Sequence, residues 1–268
     1  MKKTPIDIYG DVEGNPLIIS RILLYYDRSH KNIFLGDLIG NVDRPQELKR
    51  SIVFIEWLIR KHTKIEHKNI GQMNQFKLWN QRGLNVSSKA RRHLKEYLKQ
   101  PIKKINFIIG NKEVRAWKRF TKLDLNDHEK TVLETYFSMC VPFIIKDDIL
   151  MSHSYYLIDD LMREGFTPKL TISGHSRSYG EYHYKNIPVR IIDTTQYYSS
   201  RKEDLNMKDY ARPPIKITSE DSFETGTSRF YTEEFKLKPS KESDEESCDE
   251  SCEESSEEST DEESNDEQ

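Results

Sequence analysis

The sequence predicts an α/β fold for residues 1–238, and three observations lead to this prediction. Short β-branched segments alternate with segments of helical periodicity, as in strands joined by crossover helices. Several of the strand-like segments end in glycine followed by a polar residue. The chain has 268 residues, of which 35% are hydrophobic, and this is enough apolar material for one large core.

The first half of the domain follows this alternation from its first residues. Asn15 and Pro16 supply an N-cap and a first-turn proline, and Pro45 opens a second helix in the same way. The predicted elements are a strand at 6–9, a helix at 16–26, a strand at 33–35, a helix at 45–59 and a strand at 105–109.

A polar, basic insertion at 64–104 separates the second helix from the third strand, and we expect helix within it around 87–99. Beyond the third strand, segments 141–145 and 149–151 flank a Lys146-Asp147-Asp148 turn and predict a hairpin. Segments 170–173 and 189–192 predict two more strands.

Residues 239–268 form an acidic, Ser- and Glu-rich tail that we expect to be disordered. From residue 241 onwards the tail has 15 acidic residues and one lysine, so that with a whole-chain charge of -3 the preceding residues carry +11. The tail has too few apolar side chains to offset the entropy cost of ordering. Its repeated Ser-x-x-Glu spacing suits an acidophilic kinase, and the alternative is a solubilising tail.

The cysteines and the apolar runs of the sequence predict the cellular compartment of the protein. The chain has 3 cysteines, two of them in the acidic tail, which argues against a disulfide framework or a cysteine zinc site. The first residues lead directly into a strand-like segment, and no apolar run has the length of a membrane span. We therefore expect a cytoplasmic or nuclear protein that makes no membrane contact.

Polar residues follow the predicted strands at five places, and their positions predict a site. Because ligand-binding groups in α/β sheets collect at the carboxyl ends of strands, these points are expected to meet in space. They are Gly10-Asp11, Gly36-Asp37, Gly110-Asn111, His153 and Gly174-His175.

These motifs, in this order, resemble the calcineurin-like metallophosphoesterase family. That family has Asp-x-His, Gly-Asp-x-x-Asp, Gly-Asn-His-Glu, a lone His and Gly-His-x-His. This chain departs from the pattern at four places: it has Glu13 for the first His, Gly40 for the second Asp, Lys112 for the catalytic His and Arg177 for the last His. Asp43 is a candidate replacement for the Asp missing at Gly40.

The resemblance implies a four-layer α/β/β/α sandwich and a divalent metal site. One ion would bind Asp37, Asn111, His153 and His175, a ligand set that suits Mn or Zn. A second ion would bind Asp11, Glu13 and Asp37, and the extra carboxylate favours Mg or Mn there. The alternative is that the carboxylates are turn and cap residues, the histidines belong to the core, and Lys112 fills an empty metal position with its own charge.

The implied function is hydrolysis of a phosphomonoester or a nucleotide phosphoanhydride through a metal-activated water, with a nucleotide or a phosphoprotein as substrate. Lys112 and Arg177 are the candidate catalytic residues, Arg177 as a phosphate clamp. Lysine is a poor general acid at neutral pH. An inactive pseudophosphatase that binds a partner or a nucleic acid is therefore the alternative. Glu113 is interpreted as a structural hydrogen-bond acceptor.

The insertion offers a separate candidate surface for nucleic acid. A run of cationic residues lies there with aromatic residues among them, and a solvated helical face is the plainer interpretation. The cations are Arg82, Lys89, Arg91, Arg92, Lys95, Lys99, Lys103 and Lys104.

Overall fold

A computed structural model describes residues 4–80, 82–175, 180–192 and 215–217. All of them belong to one compact unit, Met1–Phe230. The predicted acidic tail at 239–268, its kinase sites and Arg177 lie outside the described residues, and the domain boundary at 238 stays a prediction.

Two mixed sheets of five strands each form the centre of the described fold. In the first sheet β1, β2, β3 and β4 run parallel and β10 pairs antiparallel with β1. In the second sheet the order is β5-β6-β7-β9-β8, with β6, β7 and β9 parallel. The strands are β1 Ile6–Tyr9, β2 Lys31–Phe34, β3 Ile105–Ile108, β4 Cys140–Val141, β5 Phe143–Lys146, β6 Ile149–Ser152, β7 Leu170–Ser173, β8 Gly180–Tyr184, β9 Ile187–Ile191 and β10 Ile215–Ile217.

Six α-helices connect and cover these strands in the described part of the chain. Local sequence explains where they begin: Asn15 caps the first helix by accepting from Leu17 N, and Asn126 with Glu129 forms a capping box on the fifth. The helices are α1 Pro16–Tyr25, α2 Pro45–Arg60, α3 Asn74–Lys77, α4 Asn111–Arg119, α5 Asp127–Met139 and α6 Leu157–Arg163. Short 3-10 helices lie at Ile70–Gln72, Arg91–Tyr97 and Phe120–Lys122.

Alternating side chains on the strands build two apolar clusters. Ile8 and Ile33 join Met151 and Ile172 of the second sheet in one cluster, so the two sheets share a core. Phe34, next to Ile33 on β2, instead joins the cluster that contains residues of α2 and α5. The described fold is thus mixed α/β with two sheets, and the complete four-layer order stays a prediction.

Most of the predicted elements are present, with three corrections. Val141 does not belong to the predicted hairpin strand, because it pairs with β3 in the first sheet and Pro142 separates it from β5. The insertion is not simply polar, because Phe76 and Leu94 are fully buried in the core. Its predicted helix is a 3-10 helix over Arg91–Tyr97.

Among the described residues, no helix combines the length and the apolar composition that crossing a membrane requires.

Candidate metal centre

The predicted ligand residues come together where the two sheets present the carboxyl ends of β1, β2, β3, β6 and β7. They form two groups that share Asp37. The histidine group comprises Asp37, Asn111, His153 and His175, and the carboxylate group comprises Asp11, Glu13 and Asp37. In the carboxylate group, one oxygen atom from each residue lies within 4.8 Å of the other two. The same limit holds in the histidine group for one atom each of Asp37, His153 and His175. That they bind metal stays a prediction.

The histidine group has the spacing of a metal-coordination shell. His153 Nε2 lies 2.9 Å from Asn111 Oδ1 and 3.1 Å from His175 Nδ1, and the latter two atoms are 3.1 Å apart. Asp37 Oδ1 lies 3.6 Å from His153 Nε2. Bonds of about 2.0 to 2.2 Å to a tetrahedral ion imply ligand separations of about 3.3 to 3.6 Å. These four atoms therefore fit around one divalent ion after small adjustments.

The ring of His153 is oriented by the backbone of Leu35, the residue that follows β2. Its Nδ1 lies 3.0 Å from the Leu35 carbonyl oxygen, an acceptor that fixes the proton on Nδ1 and leaves the Nε2 lone pair facing Asn111. Burial lowers the pKa of His153 to about 4, with the carboxylate of Glu113 acting in the opposite direction. The neutral imidazole that a metal requires is thus the form present at neutral pH.

Three of the predicted ligand residues have left-handed backbone conformations. Glu13, Asp37 and His175 have φ angles of 53°, 49° and 65°. Such conformations cost of order 1 kcal/mol or more each in non-glycine residues and gather at functional sites. Hydrogen bonds hold the first two in place, because Val12 N and Glu13 N donate to the Asp37 carbonyl oxygen at 3.1 and 2.8 Å.

The carboxylate group contacts the Lys112 ammonium and two backbone N–H donors. His175 N donates to Asp11 Oδ1 at 3.1 Å, and Lys112 N donates to Asp37 Oδ1 at 2.9 Å. The Lys112 ammonium forms an ion pair with Glu13 Oε1. Lys112 therefore contacts two of the three carboxylates, one with its backbone and one with its side chain.

Glu113 is the hydrogen-bond hub beneath the centre. Its carboxylate accepts from Asp37 N at 2.7 Å, Gly110 N at 2.9 Å, Ile39 N at 3.0 Å and the Tyr136 hydroxyl at 3.1 Å. Burial, with a smaller contribution from Asp37, raises the pKa of Glu113 to about 7. All four contacts are structural, so the prediction that Glu113 is an acceptor is confirmed.

Asp43 does not replace the carboxylate missing at Gly40. Its Oδ1 pairs with Arg119 Nη1 at 2.6 Å, its side chain is 60% exposed, and it belongs to neither ligand group. Gly40 N instead donates to Ser51 Oγ at 2.8 Å. The suggested replacement is wrong because the turn after Gly40 carries Asp43 outwards to α4.

Sequence reasoning missed that the insertion reaches the centre. Gly83, at φ 75°, approaches so closely that a Cβ there would lie 2.7 Å from Asn111 Cα. Asn80 Oδ1 accepts from Gly83 N at 2.8 Å and closes this turn. The Asn-to-Gly spacing signals a turn in the sequence, but nothing in it reveals the contact with Asn111.

Some of the insertion's cations are used within the domain. Arg91 Nε donates to Asp160 Oδ1 at 2.9 Å, and Lys95 pairs with Glu164 at 3.6 Å. The Asp160 carboxylate is almost fully buried, so its bond to Arg91 anchors the insertion to α6. A nucleic-acid surface on the insertion stays a prediction.

Comparison with known proteins gives matches among solved structures alone. No protein-family model matches the sequence, and no curated protein matches it. An archaeal phosphodiesterase structure aligns at 14% identity and a TM-score of 0.36, covering 73% of this chain and 88% of that one. A metallophosphoesterase from Sphaerobacter thermophilus aligns at 16% identity and a TM-score of 0.36, covering 71% and 76%. At this level of similarity, any functional interpretation depends on the chain's own residues.

Proposed function

We propose that this chain is a metal-dependent phosphoester hydrolase that acts on a phosphomonoester or a nucleotide phosphoanhydride. The observation that carries the proposal is the convergence of the histidine group. His153 Nε2, His175 Nδ1 and Asn111 Oδ1 all lie within 3.1 Å of one another. When each neutral imidazole carries its proton on its other ring nitrogen, these three atoms present their lone pairs to a shared cation.

The donor set of the histidine group suits Mn or Zn. It combines two imidazoles, an amide oxygen and a carboxylate, which are ligands of borderline hardness. Mg is less suited to the histidines and better suited to the carboxylates. When bound, a divalent ion supplies Lewis-acid charge to the phosphoryl group and lowers the pKa of a water molecule.

The protein's own groups favour an anionic substrate at the same place. Helix α4 begins at Asn111, so its N-terminal N–H groups and helix dipole lie at the centre. Lys112, in the first turn of this helix, adds a full positive charge. Because Lys112 N already donates to Asp37 Oδ1, the helix dipole and the Lys112 ammonium would attract the phosphoryl oxygens, while Asp37 and His153 would hold the ion.

The test is metal-dependent hydrolysis by purified full-length chain. Protein stripped with chelator is assayed with Mn, Zn and Mg against an activated aryl phosphate, an alkyl phosphomonoester and nucleoside di- and triphosphates. We expect hydrolysis that requires added metal and is lost in His153→Ala and His175→Ala. Metal-independent or absent hydrolysis across the panel would remove the enzymatic proposal.

The second candidate function is a binding scaffold that keeps the shape of the site without turnover. The ion pair between Lys112 and Glu13 favours it, because both residues stand where the resembled family has histidines. A scaffold would bind a phosphorylated partner with its cations. It is distinguished from the enzyme by anion binding that persists after chelation, together with absence of hydrolysis on every substrate.

A further inference from the structure

The two ligand groups differ in what already contacts them. In the histidine group, two ring nitrogens and an amide oxygen face one another, and these atoms would hold an ion. In the carboxylate group, a protein cation is already present, because the Lys112 ammonium pairs with Glu13. An ion on this group would have to compete with that lysine.

The pair between Lys112 and Glu13 is fixed at both ends. Lys112 N, at the start of α4, donates to Asp37 Oδ1 at 2.9 Å. Glu13 N donates to the Asp37 carbonyl oxygen at 2.8 Å. Side-chain exposures of 20% for Lys112 and 29% for Glu13 place the pair mostly out of water, where an ion pair is screened less than at the surface. The contact is therefore part of the centre and unlike a mobile surface pair.

The balance of charge also disfavours a second divalent ion on the carboxylate group. The ionised carboxylates of Asp11, Glu13 and Asp37 lie within one small cluster. One divalent ion on the histidine group together with the Lys112 ammonium neutralises them. A second divalent ion beside Lys112 would leave like charges in contact in a largely desolvated site, which is unfavourable.

We infer that this centre binds a single divalent ion on the histidine group, and that the Lys112 ammonium, paired with Glu13, takes the place of a second ion. The inference rests on the proposed function and specifies the number of metal ions that each chain binds. Lys112 then supplies from the protein the second positive charge that a two-ion centre would present to a phosphoryl group. Replacing this lysine by a neutral side chain frees the carboxylate group to bind an ion of its own.

Metal stoichiometry tests the inference without reference to activity. Chelator-stripped full-length protein is reloaded with Mn²⁺, freed of excess by gel filtration and analysed by elemental mass spectrometry and native mass spectrometry. We expect one ion per chain in the wild type and two in Lys112→Met. The double variant Lys112→Met with Glu13→Gln should return to one ion, because it loses a ligand of the carboxylate group.

Charge-matched and conservative variants control for general effects. Lys122→Met removes the same charge from an exposed position beyond α4 and should keep one ion. Lys112→Arg keeps the cation and should also keep one ion. If circular dichroism shows that Lys112→Met does not fold, the number of Mn²⁺ ions per chain is compared between Lys112→Gln and the wild type instead.

Electron paramagnetic resonance of the Mn²⁺-loaded proteins shows whether the added ion sits next to the first. Two ions that share Asp37 would lie about 3.5 to 4 Å apart and couple magnetically. We expect an isolated six-line spectrum in the wild type and a coupled spectrum in Lys112→Met.

The outcomes separate failure of the inference from failure of the proposed function. Two ions in the wild type, or one in both wild type and Lys112→Met, overturn the inference and leave a metal-dependent enzyme intact. A second ion in Lys112→Met without magnetic coupling also overturns it, because that ion binds elsewhere. No ion in any variant overturns the inference and the proposed function together.

Discussion

The histidine group and the carboxylate group lie side by side and share Asp37, but they differ in the groups that contact their side chains. In the histidine group, His153 Nε2, His175 Nδ1 and Asn111 Oδ1 lie 2.9 to 3.1 Å apart, and the Leu35 carbonyl oxygen orients the ring of His153. In the carboxylate group, a lysine already balances the acidic residues. The comparison teaches that two adjacent groups of candidate ligands can differ in how their charge is balanced, because only the carboxylate group contains an ion pair with a lysine.

The largest expected effect comes from removing the residue that both groups share. Asp37→Asn removes the charge of the common ligand, so we expect metal content to fall to near zero and hydrolysis to fall by about 10³-fold or more. Elemental analysis and the substrate panel measure both quantities.

Asp43→Asn is the matched control for Asp37→Asn. It is the same chemical change on an aspartate that pairs with Arg119 at the surface. We expect metal content and hydrolysis to match the wild type. An equal loss in both variants would show that the site has been wrongly placed around Asp37.

A smaller effect, on stability, is expected from the hub beneath both groups. Each oxygen of the Glu113 carboxylate accepts two hydrogen bonds. In Glu113→Gln an amide N–H₂ would face two donors in place of an acceptor, which should cost about 2 to 4 kcal/mol of unfolding free energy. Urea denaturation of the metal-free protein measures this value, and a change below about 0.5 kcal/mol would contradict the hub assignment.

The sequence predicted the elements whose signals are local. The N-cap at Asn15, the proline at Pro16 and the acidic turn at Asp147 and Asp148 are encoded in neighbouring residues, and the elements they bound are present. The assignment of Val141 to the hairpin failed because its pairing with β3 is a tertiary choice that periodicity cannot reveal.

For the candidate site, too, the sequence predicted the local features and missed those that depend on distant segments. The order of motifs identified the residues that the structure brings together. The orientation of Asp43 and the approach of Gly83 to Asn111 depend on distant chain segments, so local sequence could not predict them. The sequence suggested that the charge of Lys112 could fill an empty metal position, but its pairing with Glu13 joins two separate motifs and was not predictable from either one.

A pH effect of intermediate size is expected from His153. Burial lowers the pKa of His153 to about 4 in the folded protein, against a usual value of 6.5. The unfolded chain therefore binds more protons between these values, and stability is full above pH 6.5 and is lost as the pH falls towards 4. The loss from this group between pH 7 and 4.5 should be about 2 to 3 kcal/mol in metal-free protein.

The comparison with His153→Asn isolates this effect. The raised pKa of Glu113 acts in the opposite direction, since its contribution to stability falls as the pH rises from 4.5 towards 7. That contribution is present in both proteins and largely cancels in their difference. Denaturation of both at pH 7, 5.5 and 4.5 should show the wild type losing its advantage as the pH falls, and parallel curves would exclude a buried neutral His153.

The smallest expected effect concerns leaving-group protonation at Lys112, the residue that distinguishes the two groups. Lys112→His restores the residue that the resembled family has there and provides a proton donor near neutral pH. Hydrolysis of an alkyl phosphomonoester should rise about 10-fold, while hydrolysis of an activated aryl ester, whose leaving group needs no proton, should change little.

Lys112→Met removes the same charge and supplies no proton, so it serves as the control for any change in metal content. If both variants alter the two substrates equally, the effect comes from the charge or the added ion and proton donation is excluded. A rise confined to Lys112→His and to the poor leaving group would show that the imidazole donates a proton to the leaving group, which the lysine of the wild type does not do.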